Sequence, residues 1–246
     1  MNREEYEKLF KLEKDYWWYV GLRRCVLDTL GKAMLRDEKM SILDAGCGTG
    51  FLMSELRRFG IPFGLDISKE AVNRCVKRGL NKLVRGSVSR LPYRDNSFNA
   101  VISLDVLYHK DVGDDTDALR EFYRVLRPDG LLVMNLPAFE FMCSRHDLAI
   151  HTVRRYTKEN LRQKIESANF RVNKIAYRNA FLFPLIMILR LCGNLKSGSG
   201  HTGSDLQKLP AWLNTFLTFI LDIERLFIGR FDFPFGLSVY CIAEKG

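Results

Sequence analysis

The sequence lacks a long apolar run, and its N-terminus, MNREEYEKLF, lacks the apolar segment of a signal peptide. Its most apolar stretches are Phe181 to Leu191 and Trp212 to Leu221. Both are shorter than the roughly 20 residues that span a bilayer, although such stretches can lie on a membrane surface. We therefore expect a cytoplasmic protein, with peripheral contact to an anionic membrane as an option.

Cysteine pairs and linkers are also missing. The six cysteines are dispersed without a CxxC pair, which is typical of reduced thiols. The only Gly/Ser tract, 197–204, lies far towards the C-terminus. Because 47% of the 246 residues are hydrophobic, the chain can bury a substantial core. We expect one domain with appended segments.

The net charge of +9 is not concentrated in one block. Positive charge could serve nucleic acid, an acidic membrane surface or an acidic substrate. The basic residues form scattered pairs such as Arg23/Arg24 and Arg57/Arg58, without the long run that favours binding to a phosphate backbone. Nucleic acid is therefore disfavoured as a partner.

Short strand-like segments alternate with helical periods, which is typical of a doubly wound parallel sheet. The last segment follows a helical insertion without a usual crossover helix, so it is expected to enter the sheet antiparallel. The predicted fold is α/β and Rossmann-like, with seven strands, mostly parallel, and helical additions at both ends. The predicted strands are Met40 to Leu43, Pro62 to Leu65, Lys82 to Val84, Ala100 to Ser103, Leu131 to Asn135, Phe170 to Tyr177 and Leu237 to Ala243.

A glycine-rich loop, ILDAGCGTG from Ile42 to Gly50, leaves the first predicted strand and enters a helix. Glycine allows tight dihedrals and close backbone approach, so a ligand can lie against bare amides at the helix N-terminus. Asp66 ends the next strand, twenty residues after Gly46, where a carboxylate can accept both hydroxyls of an adenosine ribose. The pattern indicates a nucleoside site, but it suits a methyl donor and a nicotinamide cofactor alike.

Three features separate these two ligands. The loop reads GxGxG rather than GxGxxG, and Asp44 precedes it. An acid at this place suits a cationic amino-acid ligand and would repel a pyrophosphate. With the expected antiparallel last strand, the segment from Met40 through Ala138 resembles class I S-adenosylmethionine-dependent methyltransferases of the type 11/12-like, small-molecule group. The stretches GSVSRLPYRDNSFNAVISLDVLYH (86–109) and REFYRVLRPDG (120–130) are similar to further motifs of that family.

The resemblance implies S-adenosylmethionine as cofactor and assigns residues to its parts. The methionine end is implied to lie along the loop, the ribose on Asp66 and the adenine on Ile67. Ser87 stands where many members place an aspartate for the adenine amino group, and its hydroxyl can also accept that bond. The implied cofactor-binding residues are Asp44, Gly46, Cys47, Gly48, Asp66, Ile67, Ser87, Val88 and Leu104.

Methyl transfer from a sulfonium depends mainly on positioning, and a general base helps where the acceptor carries a proton. His109, at the carboxyl edge of the sheet, is the first candidate base. It could also be a histidine that only packs or caps beside the pocket. Lesser candidates are Asp105, Tyr108, His146, His151 and Tyr156. The acids Asp111, Asp114, Asp115 and Asp117 could bind magnesium, but acids before a helix more often favour its positive end, so no metal is expected.

The acceptor is expected to be a small molecule. Members that methylate nucleic-acid bases commonly carry an Asn/Asp-Pro-Pro-aromatic motif, whereas residues 103–106 here read SLDV. The resemblance divides the chain into a helical cap (1–36), a cofactor-binding core (37–178 and 236–246) and a helical apolar insertion near the acceptor site (179–235).

The insertion carries the apolar residues Phe181, Phe183, Leu185, Ile186, Ile188 and Leu191. They could form an ordinary buried helix, line an apolar acceptor site or rest on a membrane. Arg190, Lys196 and Arg225 would suit an acidic lipid surface. An apolar or lipid-like acceptor is the resulting hypothesis. A non-catalytic S-adenosylmethionine-binding module and an NAD-dependent reductase remain as alternatives.

Overall fold

The computed structural model describes residues 3–33, 39–143, 147, 151–195, 208–228 and 231–246. Within these ranges the chain forms one mixed sheet flanked by helices. The strands are β1 (Met40–Ala45), β2 (Gly60–Asp66), β3 (Leu83–Arg85), β4 (Phe98–Leu104), β5 (Leu126–Pro137), β6 (Phe170–Arg178) and β7 (Ser238–Lys245). The helices are α1 (Arg3–Leu12), α2 (Trp17–Ala33), α3 (Phe51–Leu56), α4 (Lys69–Lys77), α5 (Asp115–Val125), α6 (Lys158–Ser167), α7 (Phe183–Leu195) and α8 (Ala211–Phe227), with a 3₁₀ turn at Glu140–Met142.

The sheet order is β3-β2-β1-β4-β5-β7-β6. The first five strands in this order are mutually parallel, whereas β7 runs antiparallel to both of its neighbours, β5 and β6. The predicted Rossmann-like fold is confirmed, including the antiparallel last strand. Its position between β5 and β6 is the feature that a plain dinucleotide-binding sheet lacks.

The strand β5 begins earlier than the sequence predicts. The sequence predicts a strand that begins only at Leu131, after the turn-forming residues Pro128 to Gly130, but β5 already starts at Leu126, directly after α5. Its pairing with β4 jumps from Phe98–Leu126 to Ala100–Leu131, and Asp129 between them has a φ of 57°. The turn residues therefore form an irregularity within the strand, as bulges do, instead of separating two elements.

Two apolar layers cover the faces of the sheet. One contains Phe122 of α5 and Leu161 of α6, and the other contains Leu30 of α2 and Leu56 of α3. Three helices begin at side-chain caps, because Ser68, Asp114 and Thr157 each accept a backbone N–H of the first turn. Capped helices on both faces hold the strands so that their carboxyl ends meet at one edge.

The additional helices pack together beside the sheet. One buried cluster contains Trp17 of α2, Leu182 just before α7, and Leu221 of α8. Ion pairs from Arg24 to Asp222 and from Arg225 to Asp28 join α2 to α8 along the same side. The N-terminal and C-terminal additions therefore contact each other as well as the core.

Glu224 of α8 connects these helices to the end of β6. Its carboxylate is buried and accepts the backbone N–H of Asn179 and, at 3.0 Å, that of Phe181. Burial raises the pKa of Glu224, and these two N–H donors and the nearby Arg178 oppose the shift. The carboxylate thereby fixes the start of α7 relative to α8.

Replacing Glu224 should destabilise the protein because two buried N–H groups would lose their acceptor. For Glu224→Leu we expect the free energy of unfolding to fall by about 2–4 kcal/mol, measured by urea denaturation. Glu224→Gln keeps one acceptor oxygen and should lose clearly less. Equal stability of the leucine variant and the parent protein would contradict this account of the α7–α8 junction.

Candidate functional site

A cavity of about 520 Å³ opens where β1, β2 and β4 end. Side chains of α1 and α2 cover it, and Asp147, Thr152 and Arg155 line it on another side. All residues implied for cofactor binding line it: Asp44, Gly46, Cys47, Gly48, Asp66, Ile67, Ser87, Val88 and Leu104. His109 lines it too. The fold thus brings the predicted site residues into one enclosed space.

The glycine loop has a backbone that side chains rarely adopt. Gly46, Gly48 and Gly50 have φ values of 94°, 54° and 82°, in the left-handed region that glycine favours. A Cβ on Gly46 would lie only 2.2 Å from Cγ2 of Val106. The amides of Gly46 and Cys47 both donate to the carbonyl of Leu65, at 2.7 and 3.0 Å. These bonds tie the loop to the end of β2.

Asp66 completes this end of the cavity. Its two carboxylate oxygens accept the backbone N–H groups of Gly48 and Ser68, each at 2.9 Å. Burial raises the pKa of Asp66, and the two N–H donors counteract that rise. Tyr6 of α1 lies close enough for the Asp66 charge to add to the effect of burial, and its pKa is raised to about 12. The carboxylate is therefore held in a fixed orientation at the cavity wall.

Asp44 is the least satisfied acid of the site. It is buried, and its Oδ2 has no hydrogen-bond partner within the part of the chain that the structure describes. Burial raises the pKa of Asp44 to about 8, with further contributions from Asp66 and Glu13. A buried carboxyl without a partner is costly, and a cationic group in the cavity would provide the missing partner. The site therefore fits a ligand that carries positive charge.

Glu13, just after α1, is a site residue that the sequence did not reveal. It accepts the hydroxyl of Thr49 and, at 2.6 Å, Nη2 of Arg78. Arg23 of α2 donates to the carbonyl oxygens of Glu13 and Lys14. These bonds fasten the turn between α1 and α2 to the glycine loop. In the sequence Glu13 stands among other charged residues and looks like part of a solvated helix end, so no local signal marks it.

Asp105 occupies the other end of the cavity. Its φ is 55°, its N–H donates to the carbonyl of Asn135 at 2.8 Å, and its Oδ1 accepts Nδ2 of Asn135 at 2.9 Å. Burial raises its pKa to about 6, against the opposing effect of Asn135. Trp18 and Tyr19 of α2 and Tyr108 line the same region. This end combines one carboxyl group with aromatic rings.

His109 is half-buried and is held at its Nδ1 atom. That nitrogen accepts the backbone N–H of Asp111 at 3.2 Å, and the ring packs edge-on against His151, with centroids 5.7 Å apart. Burial lowers the pKa of His109, so the neutral ring is favoured. With Nδ1 as acceptor, the proton of the neutral ring lies on Nε2, whereas a protonated ring would place its Nδ1–H against Oδ2 of Asp111, 3.4 Å away. In this arrangement Nε2 is a donor, whereas a base needs a free lone pair there.

The other candidate bases differ in position. Tyr108 lines the cavity, but Tyr156 does not, and its hydroxyl donates to Asp115 at 2.8 Å. His151 is also outside the lining, and His146 lies outside the described residues. Asp114 caps α5 and Asp115 pairs with Lys164. Within the described ranges, no three His, Cys, Asp or Glu side chains come together as a metal site.

Near Asp105 and Tyr108 the cavity also contains a buried ion pair that the sequence did not reveal. Asp147 Oδ1 contacts Nη2 of Arg155 at 2.6 Å and Nε at 3.2 Å, and Arg155 also donates to the carbonyl of Ala138. From α7, only Arg190 reaches the cavity among the residues whose side chains are described. Of the apolar residues that we considered as an acceptor wall, Phe181, Phe183, Leu185, Ile186 and Ile188 do not line it. The side chains of Leu191 and Lys196 are outside those that the structure describes.

The sheet and the cavity together define a protein that binds a nucleoside-containing ligand at the carboxyl edge of an α/β sheet. The unpartnered acid and the β7 arrangement favour a cationic ligand over a dinucleotide. A family model described as a methyltransferase domain matches residues 43–134. Over these residues the sequence is similar to methyltransferase domains, and the chain shares its fold with a solved S-adenosylmethionine-dependent methyltransferase. The similarity implies S-adenosylmethionine as the cofactor.

Similar proteins agree with this assignment. A tRNA (carboxymethyluridine(34)-5-O)-methyltransferase of Arabidopsis thaliana is 36% identical over 100 residues, which are 40% of this chain and 24% of the relative. A probable S-adenosylmethionine-dependent methyltransferase of Mycolicibacterium smegmatis is 30% identical over 138 residues, 53% of this chain and 52% of the relative. The chain thus matches about a quarter to a half of these relatives' lengths.

A solved structure shows the same fold over nearly the whole chain. The S-adenosylmethionine-dependent methyltransferase of Thermotoga maritima superposes with a TM-score of 0.61 at 19% identity, covering 99% of this chain and 96% of that one. None of the helices within the described ranges has the length and apolar content needed to cross a membrane.

The ligand-binding role of Asp44 predicts proton release. Asp44 is largely neutral at pH 6.5 in the empty protein because its pKa is about 8, and a bound cation would favour its ionised form. We expect S-adenosylmethionine binding at pH 6.5 to release about one proton, measured by calorimetry in buffers of different ionisation enthalpy. Asp44→Asn should abolish the release and weaken binding about tenfold or more. Unchanged proton release in that variant would exclude Asp44 as the source.

Removing the Asp66 carboxylate should also weaken donor binding. For Asp66→Ala we expect a loss of about 1.5–3 kcal/mol of binding free energy, typical of hydrogen bonds to a charged group. Calorimetric titration with S-adenosylmethionine measures this loss, and circular dichroism checks that the variant is folded. An unchanged affinity would remove Asp66 from the binding site.

Proposed function

We propose that this protein transfers the methyl group of S-adenosylmethionine to a small molecule bound between Trp18, Tyr19, Asp105 and Tyr108. The supporting observation is that Asp105, in its aromatic surroundings, shares one cavity with Asp44 and Asp66. The acids proposed for the donor and the carboxyl proposed for the acceptor thus line the same space. Such a division of one cavity is what a transfer between two bound molecules requires.

The dimensions of the cavity support a small acceptor. Its volume falls within the roughly 300–1,000 Å³ of ordinary small-molecule sites, and part of it has to hold the cofactor. The acceptor end is closed by side chains from α2, from the Asp147–Arg155 pair and from Arg190. A nucleic-acid base would have to be flipped out to enter such a pocket. The similarity to the tRNA methyltransferase covers only 100 residues. The side chains proposed around the acceptor come from a longer span, from α2 to α7, so the similarity cannot include all of them.

The residues named for the cofactor in the sequence are proposed to hold it as the family resemblance implies. The loop residues and Asp44 would take the amino-acid end, Asp66 the ribose, and Ile67, Ser87 and Val88 the adenine, with Leu104 beneath. When bound, S-adenosylmethionine supplies a methyl group already activated on a sulfonium. The chain then has to position the acceptor, exclude water and accept a proton where the acceptor atom carries one.

Asp105 is the residue best placed to accept that proton. Asn135 holds one carboxylate oxygen, and the indole N–H of Trp18 also donates to the carboxylate. The raised pKa of about 6 makes the group a stronger base than an ordinary aspartate while leaving it mostly ionised at pH 7. A hydroxyl or amine on the acceptor could donate to it. His109, the base predicted from the sequence, is proposed to orient the acceptor through its Nε2–H instead, because its Nδ1 is already an acceptor.

Labelled methyl transfer tests the function. The protein is incubated with S-adenosylmethionine carrying a tritiated methyl group and with cell extract divided into small-molecule and RNA fractions. We expect label in a small molecule and none in RNA. Label confined to RNA would contradict the proposed acceptor class. Donor binding without any labelled product would instead identify a non-catalytic binding module.

Two variants separate the proposed roles of Asp105 and His109. Asp105→Asn should lower kcat by about 10²- to 10⁴-fold with donor affinity retained, because it removes the base and keeps the shape. His109→Ala should slow turnover less, chiefly through a higher KM for the acceptor. A larger loss of kcat in His109→Ala than in Asp105→Asn would return the base to His109. The dependence of the rate on pH is a second check. The rate of the parent should fall as the pH drops through about 6, because Asp105 then becomes protonated, and the rate of Asp105→Asn should not show this fall.

A further inference from the structure

The helices α7 and α8 expose an apolar surface that the methyl-transfer site does not use. Its members are Leu185, Ile188 and Leu189 of α7 and Trp212, Phe216 and Phe219 of α8, which are between 55% and 72% exposed. We call these six residues the α7–α8 face. On α8 they follow the i, i+4, i+7 spacing of one side of a helix. Groups of exposed large apolar side chains mark interaction sites more often than single scattered ones.

The opposite sides of the two helices pack against one shared cluster, so the face points away from that cluster. Ile186 of α7 and Leu217 and Ile220 of α8 pack into one cluster with Trp17 and Leu182. The sequence left three possibilities for α7, namely a buried helix, a cavity wall and a membrane contact. Its outward residues are neither buried nor in the cavity lining. Of the three possibilities, contact with an external surface is therefore the one that remains for these residues.

The charged side chains of α7 and α8 favour an anionic partner for the face. Among the described side chains of α7 and α8, the two acids are turned away from the face. Asp222 pairs with Arg24, and Glu224 accepts backbone N–H groups at the end of β6. Lys208 is exposed four residues before Trp212. No negative charge of these two helices opposes an anionic surface.

We propose that the α7–α8 face docks on an anionic lipid bilayer. The net charge of +9 attracts such a surface, whereas it would repel a second copy of the same chain. No described helix is long enough to cross the bilayer, so the two helices would lie in its interface with their rings among the acyl chains. Amphipathic helices with aromatic apolar sides bind membranes in this way.

Docking would bring the acceptor end of the cavity close to the bilayer. Trp18 lines the cavity, and it packs against the same buried cluster (Met142, Phe183 and Leu237) as Ile186 and Met187 of α7. Arg190 of the same helix lines the cavity as well. Only the thickness of α7 therefore separates the face from the acceptor end. An apolar or lipid-like acceptor could then enter from the membrane.

Vesicle binding tests the proposal with the full chain. The protein is mixed with phosphatidylcholine vesicles with and without phosphatidylglycerol, and bound protein is separated by flotation. We expect binding to the anionic vesicles only. The double variant Phe216→Glu/Phe219→Glu should bind at least tenfold more weakly. Val76→Glu is the matched control, because Val76 of α4 is an equally exposed apolar residue, and it should bind like the parent.

Trp212 provides a second readout that does not depend on a destabilised variant. It is the most exposed member of the face, whereas Trp17 is buried. Its fluorescence should shift to shorter wavelength on anionic vesicles and be quenched by brominated acyl chains. The Trp212→Phe variant should bind and lose most of this signal.

Three results of the vesicle experiment would overturn the proposal. These are a failure of the parent to float with anionic vesicles, equal binding of the glutamate double variant, and equal binding to neutral and anionic vesicles. A parent dimer that becomes monomeric in the double variant would also overturn it, since a second copy would then occupy the face. Because every readout is physical, absence of methyl transfer would leave the result unaffected.

Discussion

The burial of three carboxyl groups around one glycine loop is the constraint on which the site depends. Buried acids are costly unless hydrogen bonds or charges compensate them. Glu13 is compensated by Thr49 and Arg78, and Asp66 by two backbone N–H groups. Asp44 has no such partner for its Oδ2. The loop is therefore organised to receive positive charge at one defined place.

This constraint explains why the N-terminal helices belong to the site. Glu13 lies at the end of α1, and its bonds to Thr49 and Arg78 hold that helix over the loop. Arg23 then fixes the following turn, so α2 starts with Trp18 and Tyr19 facing the acceptor end. The same helices that close the donor end thus form a wall for the acceptor. Losing the loop contacts would open both ends together.

The donor side could be read from the sequence because its residues are close together along the chain. The local patterns are the glycine spacing, the acids near the ends of β1 and β2, and the alternation of strands with helices. Gly46 and Asp66 line the cavity that these patterns indicate. The antiparallel β7 was predictable because the helical insertion before it does not have the pattern of a usual crossover helix. The start of β5 was not, since a Pro-Asp-Gly turn and a bulge have the same local sequence.

The rest of the site could not be read in the same way. The pair of Glu13 and Arg78 joins residues 65 positions apart, and nothing local in the sequence marks the pairing of Asp147 with Arg155 at the cavity. The outward direction of Leu185 and Ile188 depends on which side of α7 packs against Trp17 and Trp18. For His109, the sequence identified the residue but not the bond at Nδ1, which decides which nitrogen carries the proton.

The charge of the ligand tests the account most directly. A nicotinamide dinucleotide carries a pyrophosphate, whereas S-adenosylmethionine carries a sulfonium and an ammonium group, and only the second suits the unpartnered carboxyl of Asp44. Parallel calorimetric titrations with S-adenosylmethionine and NAD⁺ compare them on the same protein. We predict saturable binding of one S-adenosylmethionine per chain and no binding of NAD⁺. Binding of NAD⁺ without binding of S-adenosylmethionine would contradict the account.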